Sequence, residues 1–209
     1  MFARRTTVSL AVASAMALST LAFAPAAQAA DGEASLASVL TAETPAYDDE
    51  ASDYDVLTAA VLTVLDAKPA SAVKVLTDGS VALTAFLPTD QAFSDLVDSL
   101  SGSRPDTEEA TFDAVAGLGI DTVETVLLYH VVPGATVDAG TVLDSDGTAL
   151  KTAAGPRVTV DVRSDTNIRL IDKDRNARNP RVIIEATDVN EGNEQIAHGV
   201  DRVLRPVDL

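Results

Sequence analysis

Cysteine and tryptophan do not occur in the 209 residues, and the five Phe and three Tyr bring aromatics to only 4%. Without thiols the chain has no disulfide framework, zinc thiolate site, iron–sulfur cluster, Cys nucleophile or lipid-modified Cys anchor. Few flat rings leave little for stacking bases or sugars. Positive charge is also short: 15 Lys+Arg face 32 Asp+Glu, a formal charge of -17 with two His. Such a chain repels phosphate backbones and anionic bilayers, so neither a nucleic acid nor a membrane surface is an expected partner. The motifs G-x-S-x-G, H-E-x-x-H, G-x-G-x-x-G and the phosphate-binding loop are absent as well. No catalytic residue, cofactor or metal is expected.

What is present begins with Arg4 and Arg5, an apolar run from Val8 to Ala24, and the small-residue site Ala27-Gln28-Ala29. Those are the three parts of a secretory signal, with cutting expected after Ala29. The run is too rich in Ala and Ser to span a bilayer. Thr6, Thr7 and Val8 do not continue a twin-arginine pattern, so general secretion is expected. No later run is long enough to cross a membrane, and removal of Arg4 and Arg5 takes the mature chain to -19.

Residues 30–54 are acidic and turn-rich, with Glu43, Pro45, Asp48, Asp49, Glu50 and Asp53, and read as a mobile leader. Periodicity becomes helical at Val56, Leu57, Ala60, Val61, Val64 and Leu65, and Pro69 ends that stripe. A short helix over 71–76 and a strand over 81–87 follow. Thr89 then caps a helix carrying Phe93, Leu96, Val97 and Leu100 on one face. Thr107 opens another helix, and Asp121 with Glu124 starts one more in capping-box style, placing Val123, Val126, Leu127 and His130 together. Beyond Pro133 the period falls to two. Val142-Leu143 and residues 148–151 flank the turn Ser145-Asp146-Gly147 as a hairpin. Strands follow at Val158–Val162, Ile168–Leu170, Val182–Ile184 and Ile196–Val200. Helices first and strands afterwards give an α+β domain.

All the net charge of the mature chain belongs to the helical part. Residues 31–150 hold three basic and 22 acidic residues, whereas residues 151–209 hold ten of each. Lys173, Arg175 and Arg178 gather in one hairpin loop, either as a salt-bridged turn or as an anionic-ligand patch. Asp172, Asp174 and Asn176 imitate the start of a calcium loop, but Ala177 stands where the loop needs Gly and Ile183 where it needs Glu. The two imidazoles each fall on an apolar face, where a buried, neutral, hydrogen-bonded ring is the expected state.

Three stretches, Thr84–Phe93, Tyr129–Gly134 and Ile196–Leu204, resemble in order and spacing the first box, the Tyr-His box and the terminal box of fasciclin-like domains. The resemblance covers residues 55–209. It implies a β-sandwich or wedge of strands with helices packed along it, in a secreted, non-enzymatic adhesion module binding a protein or glycan on a cell surface or matrix. A monomer is expected. Leu87 departs from the family's common Ala, and Asn193-Glu194-Gln195 replaces a tighter Asn-Gly turn. The short acidic motif of animal members is matched only at Glu185 and Asp188. The resemblance makes Tyr129, His130 and Asp188 the candidate partner contacts. Phe86, Phe93, His198 and Asp201 become the structural core of the boxes. Two other functions stay open: a carrier of a small apolar ligand, for which Val, Leu and Ala without bulky aromatics would leave a cavity, and a hydrolase of extracellular polymers, which needs paired carboxylates.

Overall fold

The computed structural model describes residues 32–43, 47–48 and 50–207. The expected signal segment lies outside them. Strand β1 (Leu83–Pro88) runs antiparallel to β2 (Val131–Pro133) and parallel to β6 (Gln195–Val200), giving the order β2-β1-β6. A second sheet is an antiparallel meander of β3 (Ala149–Lys151), β4 (Arg157–Ser164) and β5 (Asn167–Ile171). The helices are α1 (Leu36–Glu43), α2 (Asp55–Ala67), α3 (Asp90–Ser101), α4 (Glu108–Ala116), α5 (Ile120–Tyr129) and α6 (Ala139–Leu143), with 3-10 turns at Ala72–Thr77 and Ile184–Ala186.

Alternation along β1 divides the core. Leu83, Ala85 and Leu87 join the helical side with Val56, Val64, Phe93 and Leu127. Phe86, between them, faces the second sheet and packs with Tyr129, Val158, Val160, Ile168, Leu170 and Val200. The first sheet is thus a middle layer buried on both faces, and every residue of β1 and β6 is buried. Phe86 and Phe93 are both interior, but they serve opposite sides of that layer.

The strand-to-helix junction follows its sequence signals. Thr89 has extended backbone and its hydroxyl accepts the Ala92 N–H, while Gly102 closes α3 in the left-handed region at φ 72°. Thr107 caps α4 in the same way.

Four expectations are corrected. The leader is partly built into the fold: Leu36 is fully buried and Leu40 nearly so, and the Leu36 N–H donates to Gln195 Oε1 at 2.8 Å. Asn190 Nδ2 donates to the Ala34 carbonyl, and Asn193 Oδ1 accepts the Ala34 N–H. The Asn193–Gln195 departure therefore forms the socket for α1. Gly79 is required beside it, since a Cβ there would lie 1.8 Å from the Glu33 carbonyl oxygen.

Val142 and Leu143 belong to α6, not to a hairpin strand, because Asp138 Oδ1 accepts the Thr141 N–H and nucleates a helical turn. Residues Val182–Ile184 form no strand; Val182 makes one bridge to Val200 before the second 3-10 turn. Asp121 and Glu124 do not close a capping box. Gly119 starts α5 at φ 92° without a side-chain cap, and both carboxylates pair instead with Lys68, Asp121 at 2.6 Å. An ammonium between two carboxylates outcompetes a neutral amide for them.

Candidate functional site

His130 follows the last turn of α5, and its ring is buried. Nδ1–H donates to the Val126 carbonyl at 2.7 Å, and Nε2 accepts the Leu204 N–H at 2.8 Å. The two bonds fix the neutral tautomer and tie α5 to the chain's last segment. Burial pushes its pKa down to about 4, against the smaller opposing effect of the Val126 carbonyl. His198, on β6, has the opposite tautomer. Its Nε2–H donates to the Val137 carbonyl at 2.8 Å, and Nδ1 accepts the Asp188 N–H at 3.3 Å. Burial lowers its pKa as well. Both ring nitrogens of both histidines are engaged by backbone, so neither lone pair faces a substrate or an ion.

Tyr129 is fully buried, and its hydroxyl donates to the Arg157 carbonyl at 3.2 Å. Burial removes Tyr129 and His130 from the surface that a partner could touch. Asp188 is only half-buried, but it is held at φ 57° with Oδ1 accepting the Ala139 N–H at 2.9 Å. It braces the start of α6. Asp201 is not core: a half-exposed carboxylate, it accepts the Arg181 N–H at 2.7 Å and pairs with Arg178 at 3.1 Å. Lys173, Arg175 and Arg178 are exposed.

The neighbouring carboxylates are used internally. Asp172 accepts the Asp174 and Arg205 N–H groups, while Asp174 accepts from Asn176 and Ala177 and pairs with buried Arg205 at 2.9 Å. The sequence's calcium-loop imitation is thus an internal clamp.

A cluster not anticipated from the sequence lies where α2, α3 and α4 begin. Asp48, Asp53 and Asp55 bring one oxygen each within 4.8 Å of one another, and so do Asp53, Asp90 and Glu108. Asp90 is central: its two oxygens accept the Val56 N–H at 2.9 Å and the Asp55 N–H at 3.1 Å, capping α2 from another helix. Burial, then the Asp53 carboxyl beside it and the charges of Asp53 and Glu108, push Asp90 up to about 8 against the pull of the Val56 amide. Asp55 is raised by burial and by Asp53 and Asp48, with the Asp48 and Tyr47 amides pulling the other way. The only sequence signal was the density of acids over 48–55; Asp90 and Glu108 read as ordinary helix-start residues.

A cleft of about 390 Å³ opens beside this cluster, lined by Asp90, Gln91, Ser94, Arg104, Thr107 and Glu108. A second, more apolar cleft of about 430 Å³ is lined by Val126, Ala154, Pro156, Pro206 and Val207. Two apolar voids lie at the histidines: about 50 Å³ at His198 and about 20 Å³ at His130.

A family model described as Fasciclin domain matches residues 59–206. Among solved structures the chain is similar to a FAS1 domain pair from the insect cell adhesion molecule fasciclin I, at 16% identity and a TM-score of 0.46. That match covers 64% of this chain and 42% of the other. No curated protein matches.

Proposed function

The chain belongs to the fasciclin domain family, and from that membership we propose a secreted, non-enzymatic module that binds an extracellular protein or glycan through its outer loops and clefts. The observation that carries this reading is the internal use of the family boxes. Tyr129, His130 and His198 spend their polar atoms on backbone groups. Recognition is therefore left to exterior residues.

Two surfaces suit it. The exposed Lys173, Arg175 and Arg178 loop offers cations to an acidic protein or glycan, although Arg178 is shared with Asp201 and Arg175 also has an interaction within the fold. The cleft at Val126, Pro156 and Val207 offers an apolar contact. For carriage of a small apolar ligand, the voids at the histidines, about 50 and 20 Å³, fall short of the roughly 300 Å³ that drug-sized ligands need, whereas the apolar cleft at Val126, Pro156 and Val207 reaches that size at about 430 Å³.

The test is retention of the mature chain on a panel of cell surfaces, matrix proteins and glycans. Binding that falls when Lys173 and Arg175 are replaced by Ser supports the cationic loop. Binding that falls instead with Val207→Asp supports the apolar cleft. Absence of retention on every surface, with the protein folded, refutes the proposal.

A further inference from the structure

We propose that Asp48, Asp53 and Asp55, backed by Asp90 and Glu108, bind one hard divalent cation, calcium in preference to magnesium. Three helix N-termini meet here, each supplying roughly half a positive charge, so about 1.5 charges face the carboxylates of Asp48, Asp53, Asp55 and Glu108. Two of the three basic residues of the helical part are engaged elsewhere. Lys68 is held by Asp121 and Glu124, and Arg104 by Asp95 at 2.5 Å.

The second observation is Asp55 itself. Its residue is 4% exposed, and both of its carboxylate oxygens are buried without a well-formed hydrogen bond. The amides of Asp48 and Tyr47 favour its charge without bonding it squarely. Asp53 Oδ1 is likewise buried and unbonded. Buried carboxylate oxygens are strongly disfavoured unless donors or a cation compensate them.

Geometry selects the ion. Oxygens within 4.8 Å of one another match a common centre at calcium's ligand distance of about 2.3–2.6 Å. The donors are all carboxylate, which disfavours softer metals that seek thiolate or imidazole. Magnesium demands a stricter octahedron and gives up its water reluctantly, whereas calcium accepts an irregular set completed by water. Exposed Asp48 leaves a side open to solvent. The loop is held in place beforehand: the Asp90 N–H donates to the Asp53 carbonyl at 3.1 Å and the Gln91 N–H to the Ala51 carbonyl at 2.9 Å.

The experiment titrates the chelator-treated mature protein with calcium chloride and with magnesium chloride by calorimetry, alongside thermal unfolding with and without about 1 mM calcium. Expected are one saturable calcium site, weaker magnesium binding, and an upward shift of the unfolding temperature reversed by chelator. Asp48→Asn, at an exposed position, keeps the fold and weakens calcium by about tenfold or more, because affinity follows ligand charge. Asp55→Asn abolishes the shift, whereas Asp66→Asn, on the exposed face of α2, keeps it. No saturable heat from folded protein overturns the proposal. So does an equal shift in the Asp48 and Asp55 variants, which would mean diffuse screening of an acidic surface. The cell-binding reading stands or falls separately, since none of these measurements uses a partner.

Discussion

His130 allows a pH prediction worked from structure. In the unfolded chain an imidazole titrates near 6.5, whereas the folded ring is held at about 4 by burial. The fold binds the neutral form, so its contribution is complete above pH 6.5. It declines as pH falls from there toward 4, because only the unfolded chain takes up the proton. The full difference is about 3 kcal/mol, and about 1.4 kcal/mol of it is gone by pH 5.5. Asp90, held at about 8, acts with the opposite sign across the same window, so the raw stability curve mixes the two. The difference between wild type and His130→Gln cancels Asp90 and His198 and isolates the ring. Urea unfolding at pH 7.5 and 5.5 should show the cost of His130→Gln shrinking by about 1.4 kcal/mol at the lower pH. With only two imidazoles in the chain, proton NMR gives a direct reading. The His130 resonance should stay in its neutral position down to about pH 4. A midpoint near 6.5 for both rings, or a mutational cost that does not change with pH, would refute the buried-neutral assignment.

Three other outcomes follow from packing. His198→Ala leaves the Val137 carbonyl and Asp188 N–H unpaired and enlarges an existing void, at a cost of roughly 2–4 kcal/mol; an unchanged urea midpoint contradicts it. Leu36→Ala should cost roughly 2–4 kcal/mol because α1 is part of the core, whereas a detached leader would lose nothing in thermal unfolding. Arg205→Met strands the buried Asp174 carboxylate and should cost roughly 3–5 kcal/mol; urea denaturation showing less than 1 kcal/mol of loss, on the order of a surface pair, rejects that role.

Local signals in the chain were enough for α2, α3, α4 and most strands. Thr89 and Thr107 cap the helices they precede, because a cap needs only a side chain and an amide three residues away. The apolar character around both histidines also foretold their burial, since helix and strand periods determine which face a residue joins. Those same periods could not distinguish partners. Val142-Leu143 fits a strand until Asp138 caps a helix, and Asp121 and Glu124 fit a capping box until Lys68 arrives from 53 residues away.

Residues 30–54 look unable to fold because their apolar positions, Leu36 and Leu40, are few. Their burial depends on Gln195, 159 residues later. The acidic cluster is of the same kind. Asp53, Asp90 and Glu108 are unremarkable in order along the chain, and only the meeting of three helix starts sets their carboxylates face to face. Composition and period act locally and therefore determined which elements form and which faces are apolar. The charge that must be compensated, and the socket that orders the N-terminal helix, arise from contacts across long sequence separations, and tertiary packing alone decided them.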